Sequence, residues 1–236
     1  GKIGLETMKN IISYINKCTD ELEYNTVRVD FIGGEPLLAQ DELMYIYKEV
    51  YEICNRKNIQ FRPGLDTNGY FLTPQLLKMF HFIDMSITLS MPDDHNKMRS
   101  TINAEPTFDT IINNIVSCKE TINKKSHLLS IRYNTSGDNY KYYGDFLSMI
   151  SSLNVPIHRV EAMYTDEYNQ NSFKNKMSKE EFLYWNSTDG IDSLITNGFR
   201  IAHFPQANLK PCKAYIPYNM KVFSDGSIGL CDAWPY

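Results

Sequence analysis

The sequence predicts an α/β protein built on a parallel sheet, and three observations carry that prediction. Strand-like and helix-like segments alternate from Leu5 to about residue 163. One segment, VRVDFIGGEP at Val27–Pro36, reads as a core strand ending in two glycines and a carboxylate. The other strand segments also end in polar residues. Together these features look like half or more of a (β/α) barrel, a fold whose function sits at the C-terminal strand ends.

Each element has its own justification. Leu5 to Cys18 carries apolar residues at 5, 8, 11, 12 and 15, the spacing of one helix face. Val27, Val29, Phe31 and Ile32 give the first strand its β-branched and aromatic character. Gly33 and Gly34 then allow a sharp turn and close approach of a ligand to the backbone, and Pro36 stops the strand. Leu37 to Lys57, with Leu43, Tyr47, Val50 and Cys54 roughly in line, is the next helix. A strand at 59–67 ends in Asp66-Thr67-Asn68-Gly69. Thr73-Pro74 pairs an N-cap with proline at the first helical position, opening a short helix to Phe80.

A third strand, 85–90, carries Thr88 and Ser90, whose hydroxyls share one side of it. It leads into a polar loop, a helix from Phe108 to Thr121, and a fourth strand, 128–135, on which Arg132 and Asn134 share a face. Helix 140–153 and strand 155–163 complete the alternation. The Asn-rich, aperiodic stretch Asp166–Lys176 reads as a domain linker, and Ser178-Lys-Glu-Glu181 is a capping box opening a helix through Trp185. Two short β-like runs flank Ser224-Asp225-Gly226, a hairpin signal.

Composition sets outer bounds. A chain of 236 residues, 42% hydrophobic and 22% charged, has the make-up of a soluble globular protein with one sizeable core. With 24 basic against 28 acidic side chains, net charge −4, it offers no basic face for nucleic acid. No apolar run approaches the roughly 18 residues of a membrane span, and no leader pattern opens the sequence, so no membrane partner and a cytoplasmic location are expected. The five cysteines form no secreted disulfide framework. Cys18, Cys54 and Cys118 fall on helical segments, where a small buried hydrophobe explains them.

Four features together resemble the radical S-adenosylmethionine (SAM) enzymes with a SPASM extension: GGEP at Gly33–Pro36, TNG at Thr67–Gly69, TLSMPDDHNKMR at Thr88–Arg99, and a late cysteine pattern. The resemblance runs along nearly the whole chain and implies a partial (β/α)6 barrel over 1–165. A linker and helical segment over 166–199 and the start of a SPASM domain over 200–236 would follow. It further implies that Gly33, Gly34, Glu35 and Pro36 contact the methionyl part of SAM, with Glu35 and backbone groups taking its ammonium. A carboxylate beside strand-end carbonyls suits a cation. Asp66, Thr67 and Asn68 would line the pocket, joined by Thr88, Ser90, Arg132 and Asn134. Arg99 would clamp the SAM carboxylate. In the Thr88–Arg99 segment the family's aspartate is replaced by Ser90 and the interval is one residue short.

Cys212 and Cys231, spaced Cys-x13-Gly-x4-Cys around Gly226, match the opening of the SPASM ligand set for an auxiliary [4Fe–4S] cluster. Two buried free cysteines, a lone disulfide or a zinc site with further ligands are the alternatives. Asp232 follows Cys231 as in the anaerobic sulfatase-maturing enzymes, where the aspartate accepts a substrate proton; a solvated aspartate is the plainer reading. The Cys-x3-Cys-x2-Cys triplet that holds the SAM-cleaving [4Fe–4S] cluster has no counterpart, so the resemblance implies an internal piece of a longer protein, inactive alone.

The expected function is therefore part of an enzyme that reductively cleaves SAM to oxidise or cross-link a peptide or protein side chain. An electron donor such as flavodoxin or ferredoxin would supply it. Two other readings stand beside it. One is a cluster-less barrel that binds a peptide; the other is a barrel hydrolase or lyase using Glu35 and Asp66 as an acid–base pair.

Overall fold

The structure is a computed structural model and describes residues 2–22, 25–165, 175–201 and 220–229. Its elements follow the order α1 (Leu5–Glu21), β1 (Thr26–Phe31), α2 (Gln40–Arg56), β2 (Gln60–Thr67), α3 (Pro74–Lys78), β3 (Asp84–Thr88) and α4 (Pro92–Met98). Then come α5 (Phe108–Lys125), β4 (Leu128–Thr135), α6 (Tyr143–Ser152), β5 (Arg159–Tyr164), α7 (Lys179–Trp185), α8 (Ile191–Thr196), β6 (Lys221–Val222) and β7 (Ile228–Gly229). Strands β1 to β5 form one sheet in sequential order, and β2 to β5 pair in parallel. The expected α/β architecture of a partial barrel is what the chain adopts.

Contacts group the chain into two compact units, one of residues 1–29, 38–62 and 206–236, the other of 30–37 and 63–205. In the first, Lys57 at the end of α2 ties back to α1, donating to the Asn16 carbonyl and Thr19 Oγ1 at 2.9 Å each and pairing with Asp20 at 2.6 Å. The β6–β7 hairpin belongs to this unit and pairs antiparallel, with Gly226 at φ 89° in its turn. A left-handed residue there is what glycine supplies.

The second unit holds the main core. Alternation along the strands sends Leu65, Met85, Ile87, Leu89, Leu129, Ile131, Tyr133 and Val160 to one side, all buried. From the helices, Leu76, Leu77, Ile111, Ile115, Ile122, Phe146, Leu147 and Ile150 are buried as well. Each such side chain contributes roughly 1.5–3 kcal/mol. Tyr133 stacks into this layer with Phe146 at 4.7 Å and Tyr143 at 5.2 Å between ring centroids.

Boundaries moved modestly from the expected ones, and three elements were not expected. The polar loop after β3 contains α4, which starts with proline at its first turn, carries Asp93 and Asp94 there, and has Lys97 in its last turn. That charge order complements the helix dipole. The helix has no apolar stripe, so periodicity could not reveal it. After the capping box, in which Ser178 and Glu181 bond reciprocally, a π-helical stretch at Asn186–Gly190 carries the chain into α8. Among the described residues no helix is long and apolar enough to cross a membrane.

Gly69 sits at φ 80°, and a Cβ there would stand 3.1 Å from Ile111 and 3.2 Å from Ile87. Gly69→Ala combines left-handed strain with crowding, and denaturant unfolding should show a loss of about 1–3 kcal/mol.

His95 is 1% exposed, lies edge-on to Phe108 at 5.6 Å, and neither of its ring nitrogens has a hydrogen-bond partner among the described residues. Burial, helped by the Arg99 charge, pulls its pKa from 6.5 down to about 4. The unfolded chain therefore binds the proton first as pH falls. This contribution to stability is complete above pH 6.5 and is lost progressively toward pH 4, by roughly 3 kcal/mol in total. Urea titrations at pH 7, 5.5 and 4.5 should show that loss in the native chain and its absence in His95→Phe.

Candidate functional site

The carboxyl end of the sheet is organised around Glu35. Glu35 Oε1 accepts from the backbone N–H of Leu37 at 2.9 Å and from Thr67 Oγ1 at 2.7 Å, while Oε2 accepts from the backbone N–H of Asn68 at 2.7 Å. Three bonds to one carboxylate clip the loop after β1 onto the tip of β2. Charge-assisted bonds of this kind are about twice as strong as neutral ones. Thr67 Oγ1 in turn accepts from the N–H of Gly69 at 3.1 Å, and Asn68 Oδ1 accepts from the N–H of Tyr70 at 2.8 Å. Asn114 on α5 holds the far side of this turn through the Gly69 and Tyr70 carbonyls at 3.1 and 2.7 Å.

Above this clip, Gly33 and Gly34 stand clear. Nothing lies within 4 Å of the place where a Cβ of either would be, and Gly33 has φ 151°. The loop backbone is therefore open to a ligand on the side that any other residue would cover. The half-buried Glu35 has its oxygens turned into the clip, accepting its three bonds there.

The remaining sequence-predicted residues divide by strand parity. Asp66 lies on the face opposite Leu65 and Thr67, and pairs with Arg132 of β4 at 2.8 Å, reaching across β3. Thr88 is in register with Arg132, and Asn134 follows two positions later on the same face. Ser90 lies two residues beyond the end of β3. Arg99 ends α4 on an exposed segment, with its N–H donating to the His95 carbonyl. Asn96, within the same segment, accepts from the N–H groups of Thr107 and Phe108 at 2.9 Å each, fastening the start of α5. Glu35 and Asp66 thus have separate partner sets.

The polar face carries more than the sequence reading found. In register across the sheet run two rows, Ser86–Ser130–Arg159 and Thr88–Arg132–Glu161. Arg159 Nε donates to Ser130 Oγ at 3.1 Å and lies 3.3 Å from Glu161 Oε1. The signal was legible as Arg-x-Glu at alternate positions of β5, which parity sends to the side of Arg132.

Cys212, Cys231 and Asp232 lie outside the described residues. Cys54 and Cys118 are buried on α2 and α5, and burial pushes the Cys54 thiol up to about 11 and raises that of Cys118. Cys18 is half-buried on α1. Thiols on three separate helices, two of them held protonated, do not fit an iron–sulfur cluster. No group of three His, Cys, Asp or Glu side chains among the described residues is placed to hold a metal ion.

No family model matches the sequence, and no curated protein matches it. Solved structures do. The chain is similar to anSMEcpe with bound AdoMet at TM-score 0.71 and 14% identity, over 98% of this chain and 66% of that one. The similarity to anSMEcpe with bound AdoMet and Kp18Cys peptide has TM-score 0.68 and 14% identity, over 98% and 67%. Coproporphyrinogen III oxidase (HemN) from Escherichia coli, described as a radical SAM enzyme, gives TM-score 0.57 and 14% identity, over 97% and 54%. The chain spans about two thirds of the length of the anSMEcpe structures. At this identity the likeness is one of architecture, and the chain has the fold of radical SAM enzymes.

Proposed function

We propose that the chain is the SAM-binding part of a radical SAM enzyme that oxidises or cross-links a side chain of a peptide or protein. The observation that carries this reading is the open Gly33-Gly34 backbone held to the β2 tip by Glu35. It supplies unblocked main-chain groups beside polar strand ends, which is what the zwitterionic end of SAM requires. The fold likeness to structures with bound AdoMet, one also holding a peptide, points the same way.

In this reading Gly33, Gly34 and Pro36 present backbone to the SAM ammonium, and Glu35 fixes the loop. Thr67 and Asn68 hold that tip in turn. Thr88 and Ser90 offer hydroxyls, Arg99 pairs with the SAM carboxylate, and Asp66, Arg132 and Asn134 line the pocket beside it. Reductive cleavage of SAM supplies hydrogen-atom abstraction; the protein supplies orientation and exclusion of water. The described residues offer no ligand set for the reducing cluster.

The proposal extends to a SPASM segment beginning near residue 200, with Cys212 and Cys231 as ligands of an auxiliary [4Fe–4S] cluster and Asp232 as acceptor of a substrate proton. The intact enzyme would draw electrons from a flavodoxin or ferredoxin and work in the cytoplasm. A full-length gene product carrying the cysteine triplet supports the enzyme; its absence favours a peptide-binding module.

Isothermal titration of SAM into the full-length gene product, anaerobically reconstituted with iron and sulfide, tests the seat. Glu35→Gln and Thr67→Val each remove a bond of the clip and should weaken SAM binding about tenfold, with the helical circular dichroism unchanged. Equal affinity in both variants would make the clip a purely structural feature. Cys231→Ala should lower the iron content by one cluster's share; unchanged iron would remove the auxiliary-cluster assignment.

A further inference from the structure

Where β4 ends, one residue of the following turn grips the chain on both sides of the Asn134 Cα. Asn139 Nδ2 donates to the Asn134 carbonyl at 3.0 Å, and the Asn139 carbonyl accepts from the Tyr133 hydroxyl at 2.9 Å. Through Oδ1 the same side chain accepts from the Ser136 N–H at 2.9 Å. Closing the turn takes only that last bond; the other two act on β4. Asn139, Tyr133, Thr135 and Ser136 are all buried. The turn is also braced from outside, because a Cβ on Gly137 would stand 2.9 Å from the Asn175 carbonyl oxygen and 3.0 Å from that of Lys176. Asp138 Oδ1 accepts from Asn175 Nδ2 at 2.6 Å and fastens that stretch in place.

The Asn134 side chain is left free by the same arrangement. Strand parity sends it to the face of Arg132, where it is half-buried, and among the described residues its amide has no hydrogen-bond partner. Arg132, two positions earlier, is engaged by Asp66. A neutral amide offers two N–H donors and one acceptor oxygen. Held on a clamped backbone, it can bond to a ligand at the cost of its own rotamer freedom and none of the main chain's. We infer that Asn139 is a positioning residue for SAM binding: it fixes the Asn134 peptide so that the Asn134 amide is presented to the ligand, with the Tyr133 hydroxyl as the second point of the grip. The inference rests on the SAM-binding reading above and adds to it two buried residues that act through Asn134.

The test is a set of double-mutant cycles on the full-length, anaerobically reconstituted protein, with SAM affinities measured by calorimetry. Asn134→Ala and Asn139→Ala should each weaken SAM binding about tenfold, and Tyr133→Phe about threefold. Combined with Asn134→Ala, neither of the other two changes should weaken binding further, since the group they position is gone. A merely structural turn would give losses that multiply. If Asn139→Ala does not fold, Tyr133→Phe, whose ring keeps its place against Phe146 and Tyr143, carries the same cycle.

Unchanged SAM affinity in Asn134→Ala, or in both Asn139→Ala and Tyr133→Phe, would overturn the positioning role. Losses that multiply in the double variants would overturn it as well. Failure of the unsubstituted, reconstituted protein to bind SAM would instead overturn the proposed function.

Discussion

The pleat of β2, β3 and β4 is the constraint on which the rest of the molecule depends. Because successive side chains alternate, Leu65, Ile87, Ile131 and their neighbours can all face the helices only if Asp66, Ser86, Thr88, Ser130 and Arg132 all face the other way. A one-residue slip in any strand would bury its charges in the helix layer and expose its isoleucines. Burial of the apolar face thus fixes the register, and the register places Arg132 beside Thr88 and Glu161. The chemistry of the polar face is a by-product of how the core packs.

A parallel sheet covered by helices on both faces reads as continuous apolar runs. These strands do not. Ser86 and Ser130 are 7% and 0% exposed on a face that also carries two ion pairs, so this side is sheltered yet polar. Half-covered pairs of this kind gain little net stability, since desolvation offsets their attraction. The pairs therefore set the polarity of this face more than the stability of the fold, whereas His95, Cys54 and Cys118, buried among apolar side chains, serve packing.

At the strand ends the division of labour is finer. Glu35 reads from sequence as a carboxylate offered to a ligand, yet its oxygens are used by Leu37, Thr67 and Asn68. What the loop offers instead is the backbone of Gly33 and Gly34, with open space over both. TNG is likewise a braced turn. Its threonine receives the Gly69 N–H, and Asn114 holds its carbonyls. Function at such a tip depends on few exposed groups and many hidden fasteners.

By itself the sequence determined the alternation of strands and helices, the parallel sheet, the capping box at Ser178 and the hairpin at Gly226, because each rests on local periodicity or turn chemistry that neighbours along the chain specify. It also marked Gly33–Pro36, Asp66 and Arg132 as polar strand ends. It could not show that Asp66 reaches Arg132, 66 residues away, or that Asn96 caps α5. Nor could it show that Arg159 and Glu161 join the same face. Those facts depend on which strands lie side by side and in what register, and that is decided by burial of the whole apolar layer at once. The short α4, with no stripe to bury, was also left to tertiary context: its proline start and charge order suffice only when His95 has Phe108 to pack against.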